Sequence, residues 1–206
     1  MESLQLIKSN IKDKTLINKK RGHIASKSVE LFVKKGYHQT TVREIAKASG
    51  MSMGALYDYI STKEDILFLV CDYIHTTVNG KLTGSFTDEN NSLQNLKNAI
   101  KEYYTVIDEI QDHMLLLYQE TKSLNKIARK YIFNAELELT AIFENILKQC
   151  IREKTVSLKN KDTKLVAQNI MVTGQMWAFR RWAISRDITL KTYIEKQTEI
   201  ILNGIT

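Results

Sequence analysis

The sequence predicts an all-α fold, with a short N-terminal three-helix unit followed by a larger helical body. Three observations carry that expectation. Proline, the residue that breaks helices and stiffens loops, is absent from all 206 residues. Apolar residues recur at helical spacing over long stretches, without a gap through Leu139, Ile142, Phe143, Ile146, Leu147, Cys150 and Ile151. The glycines number only eight, and several stand where such segments would end.

The first helix runs through Ile24, Ala25, Ser28, Leu31 and Phe32. Gly36 supplies a left-handed stop, and Tyr37 is placed to fold back on the last turn. Thr41-Val42-Arg43-Glu44 reads as a capping box, in which the Thr41 hydroxyl accepts from the amide three residues on and Glu44 reaches back. It opens a short helix over residues 42–48, closed by Ser49-Gly50. A third helix is expected from Ser52 to about Tyr59, and Thr62 can cap a fourth that continues to Ile74. Gly80 to Ser92 reads as a loop, because glycines, serines, asparagines and Asp88 interrupt the pattern. The stripe from Leu139 to Ile151 carries Glu144 and Lys148 as an i,i+4 pair on its polar face. Residues 154–161 are mostly polar and read as a turn. Ile170 to Trp182 is apolar nearly all round, so part of its cover is expected from a second subunit. A last helix, Leu190 to Leu202, shows a one-sided stripe through Tyr193, Ile194, Gln197 and Ile201.

Charge narrows the class of partner. The formal net charge is +7. Residues 1–67 hold 12 Lys and Arg against 7 Asp and Glu, so +5 of the excess lies in the first third. A polyanion is the natural counterpart of such a face. Cys71 and Cys150 stand far apart in apolar contexts and form neither a disulfide framework nor a zinc pattern, which fits a reducing cytoplasm. No signal-like N-terminus and no run of about 18 apolar residues is present, so no membrane partner is expected. The four histidines (His23, His38, His75, His113) form no i,i+4 metal pair, and nucleophile-elbow, phosphate-loop and dinucleotide motifs are missing. No enzyme chemistry, metal or cofactor is therefore expected.

Residues 41–59 have the geometry of a helix-turn-helix. Ala46 is small enough for a close helix crossing, Gly50 suits the turn, and Ile45, Met51 and Leu56 form the apolar hinge. Such a unit lays its second helix in the DNA major groove. Gly36-Tyr37, Thr40 to Ala46, Ser49 to Tyr57, Tyr59-Ile60 and Lys63 to Leu67, taken together, resemble the DNA-binding domain of the TetR family over about residues 20–70. The resemblance implies a helix-turn-helix DNA-binding domain over residues 1–62 and a helical ligand-binding and dimerisation domain over 63–206. It implies a homodimer, paired through residues 162–203, that occupies a palindromic double-stranded DNA operator and represses until a small-molecule effector enters the body. Position by position it implies phosphate or base contacts from Thr41 and Arg43, and a recognition helix opened by Ser52, Met53 and Gly54. Tyr57, Tyr59, Thr62 and Lys63 would hold the phosphate backbone.

Two departures from the family pattern bear on base reading. Met53 and Ala55 lack hydrogen-bonding side chains, which shifts the reading onto Arg43 and apolar contacts with thymine methyls. Asp58 stands where the family often has a tyrosine. Lys19-Lys20-Arg21 precede the first clear helix and read as a solvated arm, with phosphate contact the alternative. Within the body, polar-tipped aromatics and a histidine on apolar faces are the effector-pocket candidates: Tyr103, Tyr104, His113, Tyr118 and Trp177. Arg180-Arg181 beside two tryptophans could cradle an anion or stack on the rings. The competing readings are a helical protein-interaction module and a DNA-binding regulator that answers a partner protein instead of a small molecule.

Overall fold

A computed structural model describes residues 7–9, 11–83 and 91–205. These residues form α-helices and short 3-10 turns and, among the described residues, no strand. The helices are α1 (Lys14–Lys35), α2 (Val42–Ala48), α3 (Met53–Tyr57), α4 (Lys63–Thr83), α5 (Ser92–Glu109), α6 (Gln111–Glu120), α7 (Lys126–Arg152), α8 (Thr163–Phe179), α9 (Arg181–Ile184) and α10 (Leu190–Asn203). They divide into two compact units. The first comprises Met1–Thr76 and Leu115–Asn134, the second Thr77–Met114 and Ala135–Thr206. Helices α4, α6 and α7 pass from one unit into the other.

In the first unit the helix ends are fixed by the residues the sequence supplies for them. Asp13 caps α1, its carboxylate accepting from the amides of Thr15 and Leu16. Gly36 ends that helix at φ 83° and ψ 149°, a positive φ outside the left-handed helical basin, and its amide donates to the Phe32 carbonyl. Tyr37 then meets Phe32 edge to face, ring centroids 5.2 Å apart. The capping box of α2 is complete in both directions. At Gly50 the turn into α3 requires φ 64°, a region that penalises a side chain. Ile24, Phe32, Ile45, Leu56, Ile60, Ile66 and Leu67, all 0–1% exposed, fill the space beneath. The segment 115–134 belongs to the same unit: Tyr131 donates to Asp72 at 3.0 Å and packs on Phe68, and Glu64 accepts from the amide of Asn125.

The second unit is built around α5, which packs against α8 and α10. Gly174 makes the α5–α8 approach possible, since a Cβ there would lie 2.6 Å from Tyr103 Cε1 and 2.9 Å from Tyr104 Cδ1. The stripe expected on α7 holds: Leu139, Phe143, Ile146, Leu147 and Cys150 are buried, Ile142 and Ile151 half-buried, and Glu144 pairs with Lys148 at 2.6 Å.

Several boundaries differ from the sequence reading. Gly80 to Thr83 continue α4 and Ser92 already opens α5; residues 84–90 of the expected loop lie outside the described residues. The recognition helix is shorter than expected, because Ser52 is its N-cap and Asp58 its C-cap. The apolar run from Ile170 breaks at Arg180, so Trp182 sits on the four-residue α9. Lys19, Lys20 and Arg21 do not precede α1. They lie inside it, because the capped helix starts at Lys14.

Candidate nucleic-acid interface

The interface is built from local bonds outward. The Thr41 hydroxyl accepts from the Glu44 amide at 3.2 Å, and Glu44 accepts from the Thr41 amide at 2.8 Å. A hydrogen bond from Lys35 and these contacts with Thr41 hold the Glu44 carboxyl down at about 2, so it is ionised throughout the ordinary range. This fixes the first turn of α2 and points Arg43 and Lys47, one helical turn apart, to the same exposed side. The Ser52 hydroxyl accepts from the Ala55 amide at 3.1 Å and starts α3. Between the two helices lies a groove of about 480 Å³ whose lining includes Thr41, Arg43, Lys47, Met51 and Met53.

Four features of this surface bear on what it can bind. The side chains of Arg43, Lys47 and Tyr57 are exposed and make no hydrogen bond or ion pair with the other described residues. Met53 and Tyr57 keep 37% and 44% of their surface in solvent, beside the fully buried Leu56. Gly54 is exposed. Thr62 caps α4 through a reciprocal arrangement, accepting from the Asp65 amide at 3.1 Å while Asp65 accepts from the amides of Ser61 and Thr62 at 2.8 Å.

Lys63 and Tyr59 are more engaged. The Lys63 ammonium donates to the His38 carbonyl at 3.1 Å and sits 4.5 Å from the centroid of the Tyr37 ring. Partial burial lowers its pKa, opposed by Glu120 and Glu44. Tyr59 is 8% exposed, and its carbonyl accepts from Arg21. Arg21 itself is the correction to the expected basic arm. It is 1% exposed, with Nε donating to the Tyr59 carbonyl at 2.9 Å and an Nη to the carbonyls of Ile7 at 3.0 Å and Lys8 at 3.3 Å. Burial lowers its pKa, and Asp65 opposes the shift. Ser9 adds a bond to the Asp58 carbonyl at 2.8 Å. The end of the recognition helix is thus tied to the segment before α1.

Sequence reading did not single out Lys47, although its place four residues after Arg43 on a capped helix was the available signal. It also missed the inward course of Arg21, for which a lone arginine one turn before the buried Ala25 gave only a weak one.

The effector-pocket candidates are only partly brought together. Tyr103 and Tyr104 are fully buried in the second unit, with Tyr103 donating to the Met171 carbonyl at 3.4 Å and Tyr104 bonded to Thr173 at 2.5 Å. Burial pushes both phenols up, Tyr104 to beyond the ordinary range. Trp177 donates to Asp108 at 2.7 Å and borders a cleft of about 350 Å³ with Arg181, Arg186 and Leu190. Arg181 pairs with Asp108 at 3.6 Å, and Arg180 stacks over the Trp182 ring at 5.1 Å. His113 is half-buried on α6. Tyr118 is 74% exposed and belongs to the other unit.

A capped helix-turn-helix with free cations and a bare recognition helix is the reading surface of a DNA-binding transcriptional regulator. Comparison with known proteins gives the family. Residues 24–70 match the model of bacterial regulatory proteins of the tetR family, and residues 89–182 match the C-terminal domain of tetracyclin repressor-like proteins. The chain belongs to the TetR family. It is 28% identical over 196 residues to the HTH-type transcriptional regulator HbdR of Aromatoleum sp. (strain CIB), covering 95% of this chain and 85% of that protein. The fold is shared with a tetR-family regulatory protein from Rhodococcus RHA1, at TM-score 0.76 and 24% identity over 90% of this chain and 96% of that one. It is also shared with AibR in complex with isovaleryl coenzyme A and operator DNA, at TM-score 0.72 and 17% identity over 89% of this chain and 98% of that one. Among the described residues, no helix is long and apolar enough to cross a membrane.

Proposed function

We propose that this chain is a ligand-released repressor that occupies a palindromic operator as a homodimer. The observation that carries the reading is the surface around the α2–α3 groove, where Arg43, Lys47 and Tyr57 stand exposed with no partner among the described residues. Two cations and the Tyr57 hydroxyl left free around this groove suit a phosphate backbone. In this reading Thr41, Tyr57, Thr62 and Lys63 hold phosphates, while Arg43, Ser52 and Met53 face base edges and Gly54 lets the helix approach closely. Tyr59 contributes by packing, since its ring lies inside.

Pairing through residues 162–203 is supported by apolar side chains left in solvent there: Leu165 (64% exposed), Val172, Trp182 (65%) and Ile200 (62%). Isolated exposed apolar residues are ordinary, but several on α8 to α10 suit a second copy of the chain. A small-molecule effector is supported by AibR, whose complex holds both isovaleryl coenzyme A and operator DNA. Binding to the second unit would favour a dimer whose recognition helices no longer match major grooves about 34–36 Å apart.

The test is selection of bound fragments from random duplexes, followed by fluorescence anisotropy across a salt series and light scattering of the free protein. A dimer whose affinity for a selected palindrome falls steeply with salt, and which a member of a panel of acyl-coenzyme A thioesters releases, is the expected result. A monomer, or a dimer indifferent to duplex DNA at low salt, refutes the reading. Release by none of the thioesters would remove that effector class.

A further inference from the structure

We infer that Met53 is a specificity-determining residue that reads the 5-methyl group of one thymine in each half-site, beside a base read by Arg43. The inference rests on the operator reading above. Helix α3 has only five residues, and the first of them are the ones that reach base edges in such a unit. Leu56 is fully buried beneath them and Gly54 has no side chain. The Ser52 oxygen accepts from the Ala55 amide at 3.1 Å, which ties its short side chain to the first turn of its own helix. The side chain that projects furthest at this end is therefore a thioether, 37% exposed on the lip of the groove.

A thioether donates nothing and accepts weakly. Set against cytosine N4 or adenine N6, it would strip water from a donor and return only a weak bond. Thymine is the base that presents an apolar group in the major groove. An unbranched methionine can follow that methyl over a range of positions. Arg43, exposed on the same groove and without a partner among the described residues, has the forked geometry that suits guanine N7 and O6. The cations around Met53 bring it to DNA, and the thioether selects the base.

The experiment uses the full-length protein. Random duplexes are carried through rounds of binding, and the recovered site is resynthesised with deoxyuridine replacing each thymine in turn, which removes only the methyl. One thymine per half-site is expected to stand out, with affinity falling about fourfold for each methyl removed. Met53→Ala is expected to bind the thymine duplex more weakly and to lose the distinction between thymine and deoxyuridine at that position alone. Met53→Gln is expected to shift the recovered base there to adenine. Equal affinity for every deoxyuridine duplex, or a Met53→Ala penalty that is the same on both duplexes, overturns the inference while leaving operator binding intact. Failure to enrich any sequence overturns the operator reading and this inference with it. Should Met53→Ala lower the melting temperature, the deoxyuridine series on the unsubstituted protein decides alone.

Discussion

Gly54 is helical, has no positive φ, and a Cβ built on it meets nothing within 4 Å. Neither backbone conformation nor packing within the protein asks for glycine there. Glycine nevertheless destabilises a helix interior by about 0.5–1 kcal/mol relative to alanine. In a helix of five residues that is a large fraction of the local stability. Gly54→Ala should therefore raise unfolding free energy by about 0.5–1 kcal/mol. If the exposed backbone at Gly54 is where the groove comes closest, the added methyl must push the helix back and weaken at least one base contact of about 1–3 kcal/mol. Affinity for a selected operator should then fall by about 5- to 150-fold, each tenfold being about 1.4 kcal/mol. The two effects have opposite signs, which separates DNA contact from folding. Gly80→Ala is the control, being helical, exposed and equally open in the second unit. It should gain similar stability and leave affinity unchanged. Denaturant unfolding and fluorescence anisotropy at fixed salt read both quantities. A Gly54→Ala protein that is more stable and binds as tightly as before would refute the close approach. One that is less stable would refute the premise of open space.

Three further perturbations test other parts of the reasoning. His75 is 5% exposed, and burial lowers its pKa to about 4, below its ordinary 6.5. Its neutral form contributes stability that is present above about pH 6.5 and lost as pH falls toward 4. Unfolding free energy should drop by about 2 kcal/mol between pH 7 and pH 5, and His75→Gln should flatten that slope. An unchanged slope would refute burial of the neutral ring. Gly174→Ala should destabilise by about 1–3 kcal/mol in thermal melts, because its methyl meets the rings of Tyr103 and Tyr104; wild-type stability would show that the α5–α8 contact is loose. Lys63→Ala should weaken binding to all duplexes and lower the salt slope by about one, and an unchanged slope would confine Lys63 to its bonds with His38 and Tyr37.

Local chemistry made the helix-turn-helix legible. Thr41, Glu44, Ser52 and Thr62 cap through bonds spanning three residues, so their geometry follows from spacing alone. The stripe from Leu139 to Ile151 was readable for the same reason, since periodicity states which face is covered. What covers a face is set by distant residues, which spacing does not name. Tyr103 and Tyr104 looked like polar-tipped pocket candidates, yet they fill the core because Gly174, some 70 residues on, makes room for them. The Gly80–Ser92 segment misled differently. Its glycine is tolerated in an exposed helix end, so composition placed the end of α4 too early. Arg21 was misplaced because charge predicts solvent unless acceptors are known, and its acceptors are main-chain carbonyls that no side-chain pattern announces.

That buried guanidinium has a practical consequence for anyone dissecting the protein. The portion that matches the family begins at residue 24, and a fragment cut there would keep every groove-facing group. It would also discard Arg21 together with Ile7, Lys8 and Ser9, leaving the carbonyls of Asp58 and Tyr59 without their donors. Any shortened DNA-binding unit should therefore keep Ile7, Lys8 and Ser9, because the backbone at the trailing end of the recognition helix is bonded to Ser9 and Arg21.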